Sequence, residues 1–151
     1  MAEFKFRLES LMKLREADRQ QRRAELAEAF QAESVLRQQA TQLEHDIREI
    51  EKRSRIASSP GRVHVDRVLD THRYKLILKS QVMVLSQKET QLQAEIEKRR
   101  AALAAADRDV RVLEKLKDRQ REEHAAAESQ RELKQLDEIA AQRWGRNKEE
   151  L

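Results

Sequence analysis

The residue types that could carry chemistry are scattered along this sequence. Its four histidines are His45, His64, His72 and His124. Even His64 and His72 are eight residues apart, whereas two metal ligands on one helix face need a spacing of three or four. The spacing therefore predicts no metal site.

Nucleotide-binding and hydrolytic motifs are also missing from the sequence. A phosphate-binding P-loop needs two glycines at a fixed short spacing, and the only glycines are Gly61 and Gly145. Carboxylate pairs such as Glu122-Glu123 and Glu149-Glu150 are typical of solvated surface charge. We expect no catalytic residues, no cofactor and no small-molecule substrate, so the sequence predicts a binding or mechanical component and not an enzyme.

The composition indicates long helices and not a thick globular core. Charged residues make up 40% of the 151 residues and aromatic residues 3%, while helix formers such as Ala, Glu, Lys, Leu and Arg dominate. The chain has no cysteine, no N-terminal signal sequence and no apolar stretch long enough to span a membrane, which predicts a soluble, cytoplasmic protein. The net charge of +4 arises from mixed basic and acidic residues, which argues against nucleic-acid binding.

One break divides the chain into the two elements that must position any binding residue. Pro60 is the only proline and is followed by Gly61. The sequence therefore predicts a helix over about 3–57, a turn at 58–62, a second helix over about 63–144 and a short disordered C-terminus. These elements would form a single domain.

Apolar residues recur at alternating spacings of three and four in both helices, which is the heptad pattern of a coiled coil. With a turn near Pro60, this predicts an all-α antiparallel coiled-coil hairpin that is monomeric. Residue i would face about residue 120 minus i, so Leu8 would lie near Val112 and Leu113. The predicted seam positions are Leu26, Ala29, Glu33, Leu36, Ala40, Leu43, Ile47, Ile50, Ser54 and Ala57 in the first helix, and Leu78, Val82, Leu85, Glu89, Leu92, Ile96, Arg99, Leu103, Ala106, Val110 and Leu113 in the second.

Near the N-terminus the same register places Arg15, Arg19 and Arg22 on the seam. Guanidinium groups are costly in a dry interface, so this part of the seam should be loose or hydrated. The second helix should also overhang the first beyond about Lys117, as an arm that either offers a contact surface or folds back or dimerises. Its apolar positions are Leu133, Leu136, Ile139, Ala140 and Trp144.

The start of the second helix holds more apolar residues than a two-stranded seam needs. The surplus residues are Leu69, Tyr74, Leu76, Ile77 and Met83. They either form a docking patch or are covered by the short segment that follows the turn.

Three stretches resemble the FliJ family of flagellar export proteins. They are FKFRLESLMKLRE at 4–16, EKLKDRQ at 114–120 and ELKQLDEIAA at 132–141. Their order, the chain length and the central turn make the resemblance span nearly the whole chain.

The resemblance implies a stalk-like component of the type III export apparatus, associated with flagellum biogenesis, motility and chemotaxis. Its partners would be the hexameric export ATPase, the cytoplasmic domain of the export gate and export chaperones. The protein would lie at the inner face of the cell membrane through these partners. The gate-binding patch would comprise Tyr74, Leu78, Leu69 and Met83, and the ATPase-binding residues would be Leu8, Leu11, Arg15, Arg19, Arg22, Leu136, Asp137 and Ile139.

In the family, an apolar aromatic and a leucine four residues apart serve gate contact, a pattern that Tyr74 and Leu78 match. The tyrosines that accompany them on the family's first helix are absent here, where Asp46, Glu49 and Arg53 take the facing positions. Two alternatives remain open from sequence: the stalk of a virulence type III secretion system, and a cytoskeletal or chromosome-associated coiled-coil scaffold.

Overall fold

Two helices make up almost all of the protein. The computed structural model describes residues 2–150, with helix α1 at Glu9–Ala57 and helix α2 at Val65–Glu149. No strand occurs within this range. The two helices pack against each other as an antiparallel hairpin, which confirms the predicted all-α class.

Residues 58–64 form the turn between the helices. Gly61 has φ 134°, a conformation that side chains with a Cβ rarely adopt, so glycine is required there. The Ser59 hydroxyl donates to the Ile56 carbonyl at 2.9 Å and satisfies one of the carbonyls left open where α1 ends. Helix α2 starts two residues later than predicted, and Asp66 in its first turn complements the helix dipole.

The chain divides into two compact units. The turn unit comprises residues 20–104, and its buried apolar residues are Ala29, Ile50, Leu78 and Ile96. The terminal unit comprises the described residues 2–19 and 105–150, and its buried apolar residues are Phe6, Ala106, Val110 and Leu113. Each core is a single layer of side chains between two helical segments or between a helix and the N-terminal segment.

The helices pair in a register that differs from the predicted one. Lys75 pairs with Glu51 at 3.2 Å in the turn unit, and Lys117 pairs with Glu9 at 2.9 Å in the terminal unit. In both pairs the residue numbers add to 126, not to about 120. The expectation that Leu8 faces Val112 and Leu113 is therefore wrong.

Both helix boundaries at the chain ends also differ from the predicted ones. Helix α1 begins at Glu9 and not near residue 3, because Phe6 is buried against the rest of the terminal unit and the amide of Glu9 bonds the Phe6 carbonyl at 3.2 Å. Helix α2 continues through Gly145 to Glu149. Gly145 does not adopt a positive φ, so it does not act as the helix cap that the sequence suggested.

Candidate functional site

The arginines predicted for the seam of the terminal unit are neutralised by aspartates on α2. Arg15 lies 3.6 Å from Asp109, and Arg19 donates to Asp107 at 3.3 Å. All four side chains keep partial solvent access, so these pairs contribute little to stability. They show how guanidinium groups are accommodated on the seam, and that the seam here is partly open to solvent.

Arg22 lies in the turn unit and has a local partner. Its guanidinium is 3.3 Å from the carboxylate of Glu25, one helical turn further on. Arg15, Arg19 and Arg22 are therefore all engaged in ion pairs within the chain.

The N-terminal segment forms a clasp on α2 that the sequence interpretation missed. Lys117 donates to Glu9, and this hydrogen bond lowers the pKa of the Glu9 carboxyl below its ordinary value. The Lys117 ammonium also lies 5.9 Å from the centre of the Phe6 ring, and the Phe4 ring lies 5.7 Å from that of His124. The alternation of Phe4 and Phe6 was the available signal, since side chains two apart in an extended segment share a face.

The remaining residues of the predicted ATPase surface lie in the terminal unit with different exposures. Leu8 is half-buried, and Leu11 is 38% exposed. Leu136 and Ile139 are 62% and 50% exposed, and Asp137 between them is exposed as well.

The overhanging arm predicted from the sequence is present in the terminal unit. Every residue from 131 to 150 is exposed, so this stretch of α2 contacts no other part of the described chain closely enough to be buried. It begins later than the predicted Lys117, because the N-terminal segment accompanies α2 as far as His124. The large apolar side chains on the arm are Leu133, Leu136, Ile139 and Trp144, each at least half exposed.

The four residues predicted for the gate-binding patch do not share one surface. Leu78 is 2% exposed and belongs to the core of the turn unit, so it cannot contact a partner in this conformation. Tyr74 precedes it by one helical turn and is 46% exposed, at the edge of the same face.

Leu69 and Met83 lie on the opposite face of α2, together with Leu76. These three residues are seven apart, so they line up along the helix, and Leu76 is about 160° around the axis from Leu78 at roughly 100° per residue. The exposed fraction is 48% for Leu69, 54% for Leu76 and 69% for Met83. We call Leu69, Leu76 and Met83 the outer stripe, which the segment after the turn leaves uncovered.

Neither helix contains, within residues 2–150, a stretch that is long and apolar enough to cross a membrane.

Comparison with known proteins identifies one family. The family model described as Flagellar FliJ protein matches residues 4–149, from the clasp at Phe4 to the last residue of α2. No curated protein and no solved structure matches the chain.

Proposed function

The chain belongs to the FliJ family and is a component of the flagellar export apparatus, and we propose that it acts there as a stalk-like coiled coil that binds the export ATPase ring, the export gate and export chaperones. The observation that carries this proposal is the match to the family over residues 4–149 in a chain that folds as a two-helix hairpin. The family is a non-catalytic one, and its flagellar description favours it over the virulence-secretion and cytoskeletal alternatives.

The exposed arm of the terminal unit supports ATPase binding. An amphipathic helix that enters a groove uses apolar residues spaced three, four or seven apart, and Leu133, Leu136 and Ile139 have this spacing. Asp137, beside them, would meet a basic residue of the ring wall. Arg15 and Arg19 would add further charge through the guanidinium donors that their aspartate partners leave free, and Arg22 would add its positive charge.

The exposed apolar residues of the turn unit support gate binding. Tyr74 and the outer stripe offer aromatic and aliphatic side chains that are 46–69% exposed. Leu78 would contribute indirectly, because its packing in the core fixes the position of α2 and therefore of Tyr74. We propose chaperone handling and a cytoplasmic position at the membrane from the family membership alone.

Titration into the purified export ATPase tests the stalk role. We expect the full chain to change ring assembly and the rate of ATP hydrolysis. Leu136→Ala with Ile139→Ala should weaken that effect at least tenfold, because two half-exposed aliphatic anchors, each contributing about 1 kcal/mol, would be lost. Leu76→Ala with Met83→Ala is the matched control, since it removes equally exposed aliphatic side chains from the turn unit. An unchanged ATPase would refute the stalk role.

A pull-down with the cytoplasmic domain of the gate tests whether the gate and the ATPase bind to different surfaces of the chain. Tyr74→Ala should reduce gate binding and leave ATPase stimulation intact, because Tyr74 is exposed and its replacement leaves the core unchanged. Equal loss of both activities would contradict separate surfaces for the two partners.

A further inference from the structure

The turn of the hairpin concentrates positive charge. Residues 52–67 carry a net charge of +4, which equals that of the whole chain. Basic and acidic residues are mixed along the rest of the sequence, but in this segment the basic ones predominate. Its charged residues are Lys52, Arg53, Arg55, Arg62 and Arg67 against the single acid Asp66.

The four arginines of this segment make no ion pair with a carboxylate of the described chain. Elsewhere in the described chain, arginines such as Arg19, Arg37 and Arg99 make ion pairs with carboxylates. Within residues 2–150, by contrast, Arg53, Arg55, Arg62 and Arg67 make no ion pair or hydrogen bond through their side chains. Because like charges repel one another, this cluster favours the binding of an external anion.

Three of these arginines converge on one cleft. Arg53 from the end of α1, Arg62 from the turn and Arg67 from the start of α2 line a cleft of about 470 Å³. Asp70 is the single carboxylate in its wall, so the cleft is strongly basic. Guanidinium groups bind phosphate with paired hydrogen bonds, and several of them around a cleft are typical of a site for phosphoryl groups.

Exposed aliphatic side chains lie in the same segment as the arginines of the cleft. Ile56, which lines it, is 73% exposed, and Val63 and Val65 in and after the turn are 54% and 64% exposed. Single-stranded nucleic acid is held mainly by aromatic residues on which bases stack, and residues 52–67 contain no Phe, Tyr or Trp and a single imidazole, that of His64. Segments that bind at the boundary between lipid headgroups and acyl chains instead combine exposed aliphatic side chains with basic residues, as this segment does.

We propose that residues 53–67, which comprise the turn and the helix ends on both sides of it, bind directly to an anionic phospholipid surface. The arginines of the cleft hold lipid phosphates, and Ile56, Val63 and Val65 enter the headgroup boundary. The contact is interfacial and spans no bilayer. It is independent of the proposed function, because it requires neither the ATPase nor the gate.

Sedimentation of the full chain with lipid vesicles tests the proposal. The protein should bind vesicles of mixed phosphatidylglycerol and phosphatidylcholine, fail to bind pure phosphatidylcholine, and dissociate at high salt. Arg53→Gln, Arg62→Gln and Arg67→Gln together should lower the partition coefficient about a hundredfold, since each basic residue near an anionic surface contributes roughly fivefold. Free glycerol phosphate should not compete, which separates a lipid surface from a soluble phosphate ligand.

The matched control removes the same charge from the exposed arm. Lys134→Gln, Arg143→Gln and Arg146→Gln remove three positive charges that also lack ion pairs within the described residues, and this variant should keep nearly full vesicle binding. Equal loss in both triple variants would mean that net charge alone drives binding, and would overturn the proposal. Absence of binding to the phosphatidylglycerol vesicles would overturn it as well and would favour an acidic protein segment as the occupant of the cleft.

A fluorescent reporter tests the insertion step. In a Trp144→Phe background, Val63→Trp places the only tryptophan of the chain in the turn. Its emission should shift to shorter wavelength with phosphatidylglycerol vesicles, while a tryptophan placed by Gln91→Trp in the same background should not shift. An unshifted reporter at residue 63 would refute insertion. Circular dichroism provides the folding control, since every replaced residue is exposed.

Discussion

Replacement of Leu78 by alanine tests the division of α2 into an inner and an outer apolar face. Leucine to alanine removes three carbon atoms, which are worth about 0.8 kcal/mol each when fully buried, or about 2.4 kcal/mol in total. Leu78 is 2% exposed, so the whole transfer term is lost and a cavity term adds to it. We expect Leu78→Ala to lower the free energy of unfolding by about 2–4 kcal/mol.

Leu76 provides a matched control two residues away on the same helix. Its side chain is 54% exposed, so less than half of the transfer term applies, about 1 kcal/mol, and the better helix propensity of alanine returns a few tenths. Leu76→Ala should therefore cost less than about 1 kcal/mol.

Urea denaturation followed by far-ultraviolet circular dichroism measures both changes. The midpoint should fall for Leu78→Ala with an unchanged slope, which identifies a loss of stability and not a change in the unfolded state. Leu78→Met conserves volume and should cost less than about 1.5 kcal/mol. If Leu76→Ala destabilises the protein as much as Leu78→Ala, the assignment of inner and outer faces is wrong.

Three further changes test the terminal unit. Phe6→Ala should release the N-terminal segment because Phe6 is its buried anchor, and trypsin should then cleave faster after Lys5 and Arg7 while helix content stays the same; an unchanged cleavage rate would contradict the clasp. Because the pKa of Glu9 is lowered in the folded state, the stability it contributes is present above the ordinary carboxyl pKa and is lost as the pH falls through the lowered one. The protection of the segment against hydrogen exchange, corrected for the intrinsic pH dependence of exchange, should fall over that acidic range, and Glu9→Gln should abolish this change. Removal of residues 131–150 should leave the urea midpoint unchanged, since all of them are exposed, and a lower midpoint would show that the arm packs against the chain.

The seam was predictable because its signal is local. The ten positions predicted between Leu26 and Ala57 are all buried or half-buried, as the alternating spacing of three and four requires. Arg15, which the same register places on the seam, is exposed. In α2 the prediction fails at Val82 and Glu89, which are exposed.

The register was not predictable, because the same signal repeats. Sliding one seam past the other by about one heptad again places apolar residues opposite apolar ones, so periodicity alone cannot distinguish a sum of 120 from 126. Turn length and individual ion pairs such as Glu51–Lys75 select between them. The family itself was predicted from local sequence stretches, and the match over residues 4–149 confirms it.

The predicted gate patch failed to hold together because it relied on closeness along the sequence. Leu69, Tyr74, Leu78 and Met83 fall within fifteen residues of one helix, but a helix turns about 100° per residue and distributes them over different faces. The cleft lined by Arg53, Arg62 and Arg67 was missed for a different reason. Arg53 and Arg67 lie on different helices and meet only because the turn brings the two helix ends together.

The pairing of Glu9 with Lys117 also has a consequence during protein synthesis. At about 5–20 residues per second, the ribosome adds the intervening 108 residues in roughly 5–20 seconds. The N-terminal part of α1 is therefore complete long before its partner residues leave the ribosome, and its seam is exposed to the cytosol for that time. Arg15 and Arg19 place charge on that seam, and charges within an apolar surface oppose aggregation, so we expect the segment to stay soluble until Asp109 and Asp107 are synthesised and neutralise them.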